Sequence, residues 1–391
     1  MKRQIAKYKE KLAADGSADP LRIAFLAKDD ILIAEGPADL LPLGEEILAR
    51  LNVVCAVLAE PSLPFIDFLV RRATGEEPCL VPRDTETRTF LHDIPLLRRA
   101  DRGDSEKIAA LLRRRKGIIV EGLGIVATGA FTPEQAFIHY CSVFHAAFVK
   151  YLLDVLQDGF LLPGEEAAFA DLRQSWLQPI AIGDLTFASG PLEDRTAILA
   201  EIARVGRYTV GKRLVDSAFG NISWRDGQTI LISQTGAHLD ELAGCIDPVP
   251  NDNSSTAGVT ASSELAAHRR IFEATGARAI LHGHPKLAVV MSMLCEHQAG
   301  CNIADCWRQC PRVRFVGGTP TVAGEIGAGG LAEKVAPVIG ETGRALVFGH
   351  GVFTLGRNGF GEAFAALVEV ENWCREEFCR RLQRETSGTA R

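Results

Sequence analysis

The sequence predicts a layered α/β (α+β) architecture, built as two tandem copies of one fold with the first copy shortened. Short apolar runs alternate with polar-capped amphipathic segments, and Gly stands at many junctions, as in sheets covered by helices. An internal repeat then joins the halves. Gly122-Leu123-Gly124-Ile125-Val126-Ala127-Thr128-Gly129, leading to Gln135-Ala136-Phe137, lies over Gly349-His350-Gly351-Val352-Phe353-Thr354-Leu355-Gly356, leading to Glu362-Ala363-Phe364, with every pair offset by 227. A second block, Cys55-Ala56-Val57-Leu58-Ala59-Glu60-Pro61 over Ala279-Ile280-Leu281-His282-Gly283-His284-Pro285, is offset by 224. Two independent blocks with nearly equal offsets are not a chance pairing, and a repeat of this kind constrains the whole fold.

In chain order, residues 1 to about 16 read as a polar amphipathic helix. The helix after the first repeated block carries Phe137, Tyr140, Val143, Ala147, Tyr151 and Val155. The helix after the second carries Phe364, Leu367, Val370, Cys374, Phe378 and Leu382 at the matching places. Spacings of three and four give each helix one apolar face. The break at Leu161-Leu162-Pro163-Gly164, followed by Gln178-Pro179 and Gly190-Pro191, puts a boundary between about 160 and 195. The expected domains are 1–175 and 176–391. Further on, 229–232, 277–281 and 345–348 read as strands, and 260–268 as the opening of a helix.

Composition narrows the function classes. At about 150 residues per domain, 391 residues allow two or three domains. Hydrophobic residues at 47% and charged residues at 24% exclude global disorder. With 43 Lys+Arg against 49 Asp+Glu the net charge is −6, and the one basic block, Arg113-Arg114-Arg115-Lys116, reads as a solvated face. No nucleic-acid partner is expected. No apolar run approaches the length that crosses a bilayer, so no membrane partner is expected either. The polar start, with Lys7, Lys9, Glu10 and Lys11, lacks the apolar core of a secretory signal. A cytoplasmic protein follows as the expectation, its ten cysteines free thiols.

The chemistry concentrates in the second copy. Residues two apart on a strand project to one side, so His282 and His284 can share one metal ion. His350 lies at another strand end between Gly349 and Gly351. Three His ligands with a fourth position left for water or substrate are the catalytic zinc pattern, another divalent ion being the alternative. An H-x-H pair also suits polar caps on a strand end, but the repeat weighs against that. The first copy places Leu58, Glu60 and Leu123 at the three positions, so all candidate ligands are missing together and that copy is expected to be metal-free. Thr260-Ala261-Ser262-Ser263-Glu264, at a helix start, and the turns Ser233-Gln234-Thr235-Gly236 and Gly220-Asn221-Ile222-Ser223 are anion-friendly. The same residue types are ordinary turn formers, and Glu264 also suits a helix dipole. Cys295, Cys301, Cys306 and Cys310 are separated by five, four and three residues. That spacing matches no standard zinc or iron–sulfur signature, and they read as free, partly buried thiols.

Taken together, Gly220-Asn221-x-Ser223, Thr235-Gly236, Ser262-Ser263-Glu264 with His268, His282-x-His284-Pro285 and His350-Gly351 follow the order seen in the class II aldolase/adducin family. The chain resembles that family over roughly 195–385. The first half resembles it only through the repeat and lacks the Gly-Asn-x-Ser and Ser-Ser-Glu blocks. The family includes fuculose-phosphate and rhamnulose-phosphate aldolases, ribulose-phosphate 4-epimerase, methylthioribulose-phosphate dehydratase and related decarboxylases. The resemblance implies, for each copy, a central, mainly antiparallel sheet flanked by helices, with 1–175 degenerate and 176–391 catalytic. It implies zinc on His282, His284 and His350, and Glu264 as general acid/base, able to touch the metal before substrate arrives. It also implies a substrate-phosphate pocket from Gly220, Asn221, Thr235, Gly236, Ser262 and Ser263. The implied activity is that of a metal-dependent lyase on a small, phosphorylated sugar or hydroxy-carbonyl compound, through a metal-stabilised enediolate. Retro-aldol cleavage comes first; a dehydratase, decarboxylase or epimerase, or a non-enzymatic adducin-like scaffold, are the alternatives. Glu264, where the epimerase has Asp, favours the aldolase, dehydratase and decarboxylase members. The family's four-fold assemblies imply a homo-oligomer, here a dimer whose four modules imitate a four-fold ring.

Overall fold

The apolar runs become the strands of two sheets. In a computed structural model, which describes residues 1–190, 192–216, 219–297, 300–303, 305–324 and 330–388, the chain forms two units. One is Met1–Arg83 with Thr87–Leu177, the other Gln178–Arg391 with Asp84–Glu86.

The first unit holds strands β1 (Ile23–Lys28), β2 (Leu32–Glu35), β3 (Cys55–Ala59), β4 (Cys79–Leu80), β5 (Ile94–Leu97), β6 (Gly117–Val120) and β7 (Gly124–Gly129), in the order β2-β1-β3-β7-β6-β5-β4. Every neighbouring pair is antiparallel except β5–β6. The helices in this half of the chain are α1 (Lys2–Ala14), α2 (Leu41–Ala49), α3 (Phe65–Arg72), α4 (Thr85–Leu91), α5 (Ser105–Leu112), α6 (Pro133–Asp158) and α7 (Glu165–Trp176). Alternation along the strands divides the core in two. Ala24, Leu26, Ala56, Leu58, Ile118 and Val120 join one apolar cluster with Ile47 and Leu48 of α2 and Ile108 of α5. Their neighbours Phe25, Val57 and Ile119 are equally buried and face the other side, where α6 packs on β3 and β7.

Helix α6 starts cleanly because Thr132 accepts the Gln135 N–H and Pro133 fits the first turn, and it stops at Gly159, whose φ is +71°. Its stripe Phe137, Tyr140, Val143, Ala147, Tyr151 and Val155 is buried. One expectation is corrected here: α6 is long and apolar enough to cross a membrane. However, 83% of its apolar window is buried inside the fold, which is the position of a central core helix. Its two neighbouring charges, Lys150 and Asp154, pair with each other one turn apart. The basic block is also less uniform than expected. Arg113 and Arg114 are exposed, Arg115 pairs with Asp93 at 2.5 Å, and Lys116 lies over the Phe90 ring.

The second unit holds β8 (Asn221–Asp226), β9 (Thr229–Ser233), β10 (Ile246–Pro250), β11 (Ala279–Gly283), β12 (Arg314–Val316), β13 (Thr319–Val322), β14 (Arg344–Val347) and β15 (Gly351–Gly356), in the order β10-β9-β8-β11-β15-β14-β13-β12. Only β13–β14 is parallel. Its helices are α8 (Arg195–Gly211), α9 (Leu265–Ala274), α10 (Lys286–Ser292), α11 (Cys306–Gln309), α12 (Gly330–Thr342) and α13 (Phe360–Gly388). Removing β10 leaves the topology of the first sheet, strand for strand, with its single parallel pair in the same place. The register repeats as well: Leu58 stands opposite Val126 as His282 stands opposite Phe353. Mixed α/β units with sheets flanked by helices are thus what the sequence pattern encodes.

Local assignments shift at three points. His282 lies within β11 rather than beyond it, Asn221 and Ser223 lie on β8 rather than in a turn, and the helix expected from 260 starts at Leu265. The short turn Thr256–Val259 and a bridge from Ala261 to Gln234 occupy the residues before it.

Because Leu58 is fully buried in the α2–α5 cluster, Leu58→Ala should cost about 2–5 kcal/mol. Urea unfolding followed by circular dichroism should show the loss. Leu161→Ala, at a position 60% exposed, should stay within about 0.5 kcal/mol of the unaltered chain.

Candidate metal centre

Four buried side chains meet at one end of β11, at the start of α9 and in the turn between β14 and β15. Alternation along β11 puts His282 on the same face as Ile280, which belongs to the cluster with Ala267 and Ile271 of α9. His284 follows past the strand end, and His350 sits in the β14–β15 turn. Their Nε2 atoms converge: His284 to His282 is 2.8 Å and His282 to His350 is 3.1 Å. Glu264 supplies the fourth group, with Oε1 3.0 Å from His350 Nε2 and Oε2 3.4 Å from His282 Nε2.

The backbone dictates part of this chemistry. His282 Nδ1 lies 3.0 Å from the Val352 carbonyl, which only accepts, so Nδ1 carries the proton and the neutral ring presents a bare lone pair at Nε2. The ring is stacked on Phe353, with centroids 4.0 Å apart. Gly351 leaves room for it: a Cβ there would sit 2.7 Å from His284 Cδ2 and 2.9 Å from His282 Cε1. Glu264 is the residue that precedes the first turn of α9, where the helix dipole favours a negative charge. Its Oε2 accepts a hydrogen bond of 2.7 Å from Asn221 Nδ2. Gly220, with φ +75°, brings the chain close to the His282 carbonyl, which a Cβ would meet at 2.6 Å.

Burial alone would raise the Glu264 carboxyl, but His282, His350 and Asn221 outweigh it and hold the group well below the ordinary carboxylate range. Burial pushes His282 down to about 4 against the opposing pull of Glu264. His350 is also opposed by burial, yet its hydrogen bond to Glu264 and the nearby carboxylates raise it. The triad's ligand atoms lie within 4.8 Å of one another and all three residues are buried. Three imidazole nitrogens, one tautomer fixed by backbone and one carboxylate in reach, are a donor set suited to zinc or a similar divalent ion.

The corresponding places in the first unit are filled differently. Leu40, Leu58 and Leu123 stand where Glu264, His282 and His350 stand, and all three belong to one apolar cluster. Glu60, in the place of His284, pairs instead with Arg22 at 3.3 Å.

The anion-binding candidates are only partly brought together. The Thr235 N–H donates to the Thr260 carbonyl at 2.9 Å, and the Ser262 N–H to the Ser233 carbonyl at 2.9 Å. Thr235 Oγ1 donates to the Ala261 carbonyl at 2.8 Å. The two turns therefore lie side by side, with Gly236 and Ser263 exposed. Asn221, by contrast, serves Glu264. Sequence reasoning missed this contact, because nothing local in Gly220-Asn221 points 43 residues ahead. It also missed the ion pair of buried Lys286 with half-buried Asp216 at 2.8 Å, just after His284. Ser223 Oγ lies 2.6 Å from His268 Nδ1, which ties buried His268 of α9 to β8. Cys295, Cys301, Cys306 and Cys310 are free thiols.

Residues 200–378 match the family model for the Class II Aldolase and Adducin N-terminal domain. Among solved structures, L-fuculose-1-phosphate aldolase from Thermus thermophilus is 25% identical, the match covering 48% of this chain and 97% of that one at a TM-score of 0.40. A sugar-phosphate aldolase from Thermotoga maritima is 19% identical over 48% of this chain and 96% of its own, with a TM-score of 0.35. L-fuculose 1-phosphate aldolase from Glaciozyma antarctica is 16% identical over 52% and 79%, also at 0.35. No curated protein matches the chain.

Two imidazoles outside the triad, His139 half-buried and His268 buried, set a pH dependence. Burial lowers His139 to about 4 and His268 to about 3. Each stays neutral in the folded chain over the range in which the unfolded chain, with imidazoles near about 6.5, takes up protons. Their contribution is therefore intact above that value and is lost as pH falls toward 4. The urea midpoint of the chelator-treated protein should drop between pH 7.5 and pH 5, and His268→Gln should flatten that slope.

Proposed function

We propose, from the premise that residues 200–378 form a class II aldolase/adducin-type domain, that this chain is a divalent-metal-dependent lyase. In this reading His282, His284 and His350 hold the metal, zinc first among candidates. The substrate is a small hydroxy-carbonyl compound, a phosphorylated sugar in the first instance, and the bond broken is a C–C bond in a retro-aldol cleavage. The observation that carries the reading is the convergence of three buried Nε2 atoms and one carboxylate, with His282 locked in the tautomer that leaves its Nε2 bare.

When bound, a metal there supplies Lewis-acid stabilisation of the negative charge that develops on adjacent substrate oxygens. The chain's own residues do the rest. Glu264, ionised beside the histidines, accepts a proton from the substrate hydroxyl as the bond breaks and returns it to carbon of the departing enediolate. Asn221 holds the carboxylate in line through its 2.7 Å hydrogen bond. The Thr235-Gly236 turn beside Ser262-Ser263 seats the substrate's anionic end; with the Thr235 hydroxyl and the Ser262 N–H already engaged, Gly236 and Ser263 are the groups that face it. Positioning of this kind converts binding energy into rate. Dehydration and decarboxylation of related substrates would use the same groups.

Elemental analysis of the purified chain should find about one metal equivalent, lost in His350→Ala. Glu264→Gln should keep the metal and lower turnover by about 10²–10⁴-fold, measured by NMR of products across a panel of phosphorylated ketoses and hydroxy acids. Aldehyde release identifies cleavage, whereas dehydrated or decarboxylated products move the assignment to a sister reaction. A metal-free, inert wild-type chain would leave only a scaffold role. Loss of metal in Glu264→Gln would make Glu264 a ligand in place of a proton carrier.

A further inference from the structure

Three residues from the first half of the sequence, Asp84–Glu86, belong by contact to the second unit. Thr85, at the start of α4, donates both its backbone N–H (2.6 Å) and its hydroxyl (3.0 Å) to the Gly349 carbonyl. The Gly349 N–H donates in turn to Ser292 Oγ at 2.8 Å. The residue before His350 is thus pinned through its N–H and its C=O. The next residue along the chain from Thr85 is Glu86, and its Oε2 lies 3.6 Å from His350 Nδ1. That is ion-pair range, just beyond a hydrogen bond.

His350 is 2% exposed, and its Nδ1 has no hydrogen-bond partner among the described residues. Leaving a buried donor unmade costs about 1–3 kcal/mol, so the atom calls for a partner. His282 shows what that partner does in this site: its Nδ1 is tied to a backbone carbonyl, and Nε2 is thereby left bare for the centre. His350 offers the same nitrogen to the same centre; Glu86 Oε2 is the carboxylate oxygen 3.6 Å from its other nitrogen, and Asp84 adds negative charge nearby. The Glu86 side chain is 24% exposed, against 8% for Glu264.

We propose that Glu86 is a positioning residue for His350: its carboxylate attracts the Nδ1–H across 3.6 Å, favours the tautomer that leaves Nε2 bare, and holds the ring toward the triad, while Thr85 anchors the segment that delivers it. This rests on the reading of the triad as a metal centre. It gives a specific task to a segment that lies more than two hundred residues ahead of the ligand it serves, and that no motif in the second half contains.

The test uses the full chain and three variants, Glu86→Ala, Glu86→Gln and His350→Ala. Zinc affinity is measured by competition with a chromophoric chelator, the cobalt-substituted protein is followed by visible absorption, and melting is measured on the chelator-treated protein. Loss of an outer partner to a metal-ligating histidine typically weakens metal binding about 10–100-fold. Glu86→Ala should fall in that range and shift the cobalt bands, with the metal-free melting midpoint unchanged. Glu86→Gln, which keeps the volume and one acceptor oxygen, should recover part of the affinity. If Glu86→Ala does not fold, Glu86→Gln decides: weakened zinc binding supports the proposal, and wild-type binding overturns it. Wild-type affinity and cobalt spectrum in Glu86→Ala, with metal lost in His350→Ala, overturn this inference and leave the metal centre standing. Metal retained in His350→Ala as well removes the centre itself.

Discussion

His282 stands opposite Phe353 in the antiparallel pairing of β11 with β15, and a slip of one residue would turn it from the α9 face to the opposite one. The rest of the centre follows from that register. It brings the Val352 carbonyl to His282 Nδ1, stacks the ring on Phe353, and puts the β14–β15 turn, with His350, beside the end of β11. On the other edge β8 pairs with β11 so that Asn221 is opposite His282, within reach of Glu264. The pairing is held by an apolar face: Ile280 and Phe353 are buried with Ile271, Phe272, Val335 and Ile339 of α9 and α12. Packing of ordinary aliphatic residues thus positions the imidazoles, and the glycine at 351 lets them approach.

The two units show what the same scaffold does with and without that chemistry. In the first, Leu40, Leu58 and Leu123 add to a continuous apolar cluster, and each fully buried aliphatic side chain contributes about 1.5–3 kcal/mol through lost contact with water. In the second, the same places hold a carboxylate and two imidazoles, with a third imidazole where Glu60 pairs with Arg22. Burying such groups is unfavourable unless they are mutually satisfied, so the second unit carries a local cost that the first does not. Conflict between local stability and composition of this sort is expected at a functional site. The helices outside the centre retain their apolar stripes in both units, since Phe137 and Phe364 are alike buried, which is why the repeat is still legible where the ligands are not.

How far the sequence could be read depended on the range of each interaction. The stripes of α6 and α13, the strands around His282 and the turn at His350 are encoded within a dozen residues, and periodicity exposes them. The layered α/β fold and the tandem repeat were legible for the same reason. Gly220-Asn221 looks like a turn in sequence; only the β8–β11 ladder shows Asn221 on a strand, bonded to Glu264. The sequence puts the start of α9 at 260, whereas Ala261 is drawn into a bridge with Gln234 and the helix begins at Leu265. The membrane-like composition of α6 is masked in the sequence because Lys150 and Asp154 interrupt the apolar run, while in space they pair with each other. Glu86 carries no signal in the sequence, since its 3.6 Å approach to His350 arises in the fold, beside the contact of Thr85 with Gly349.

Glu264 holds the last piece of the logic. Two opposing influences act on it: burial favours the neutral acid, and the histidines with Asn221 favour the carboxylate, which prevails as the side chains stand. The balance depends on distances of 3.0 Å to His350 and 3.4 Å to His282, and such contacts weaken as the groups separate, while the burial of Glu264 in the fold does not. A ligand that moves the carboxylate away from the imidazoles would therefore raise its proton affinity without any change in its sequence neighbours. A carboxylate held anionic by its contacts with the triad is thus one whose proton affinity is set by those contacts. That is the property the proposed cleavage would require of its acid–base group, and the position of Glu264 itself follows from where α9 begins and which strand carries Asn221.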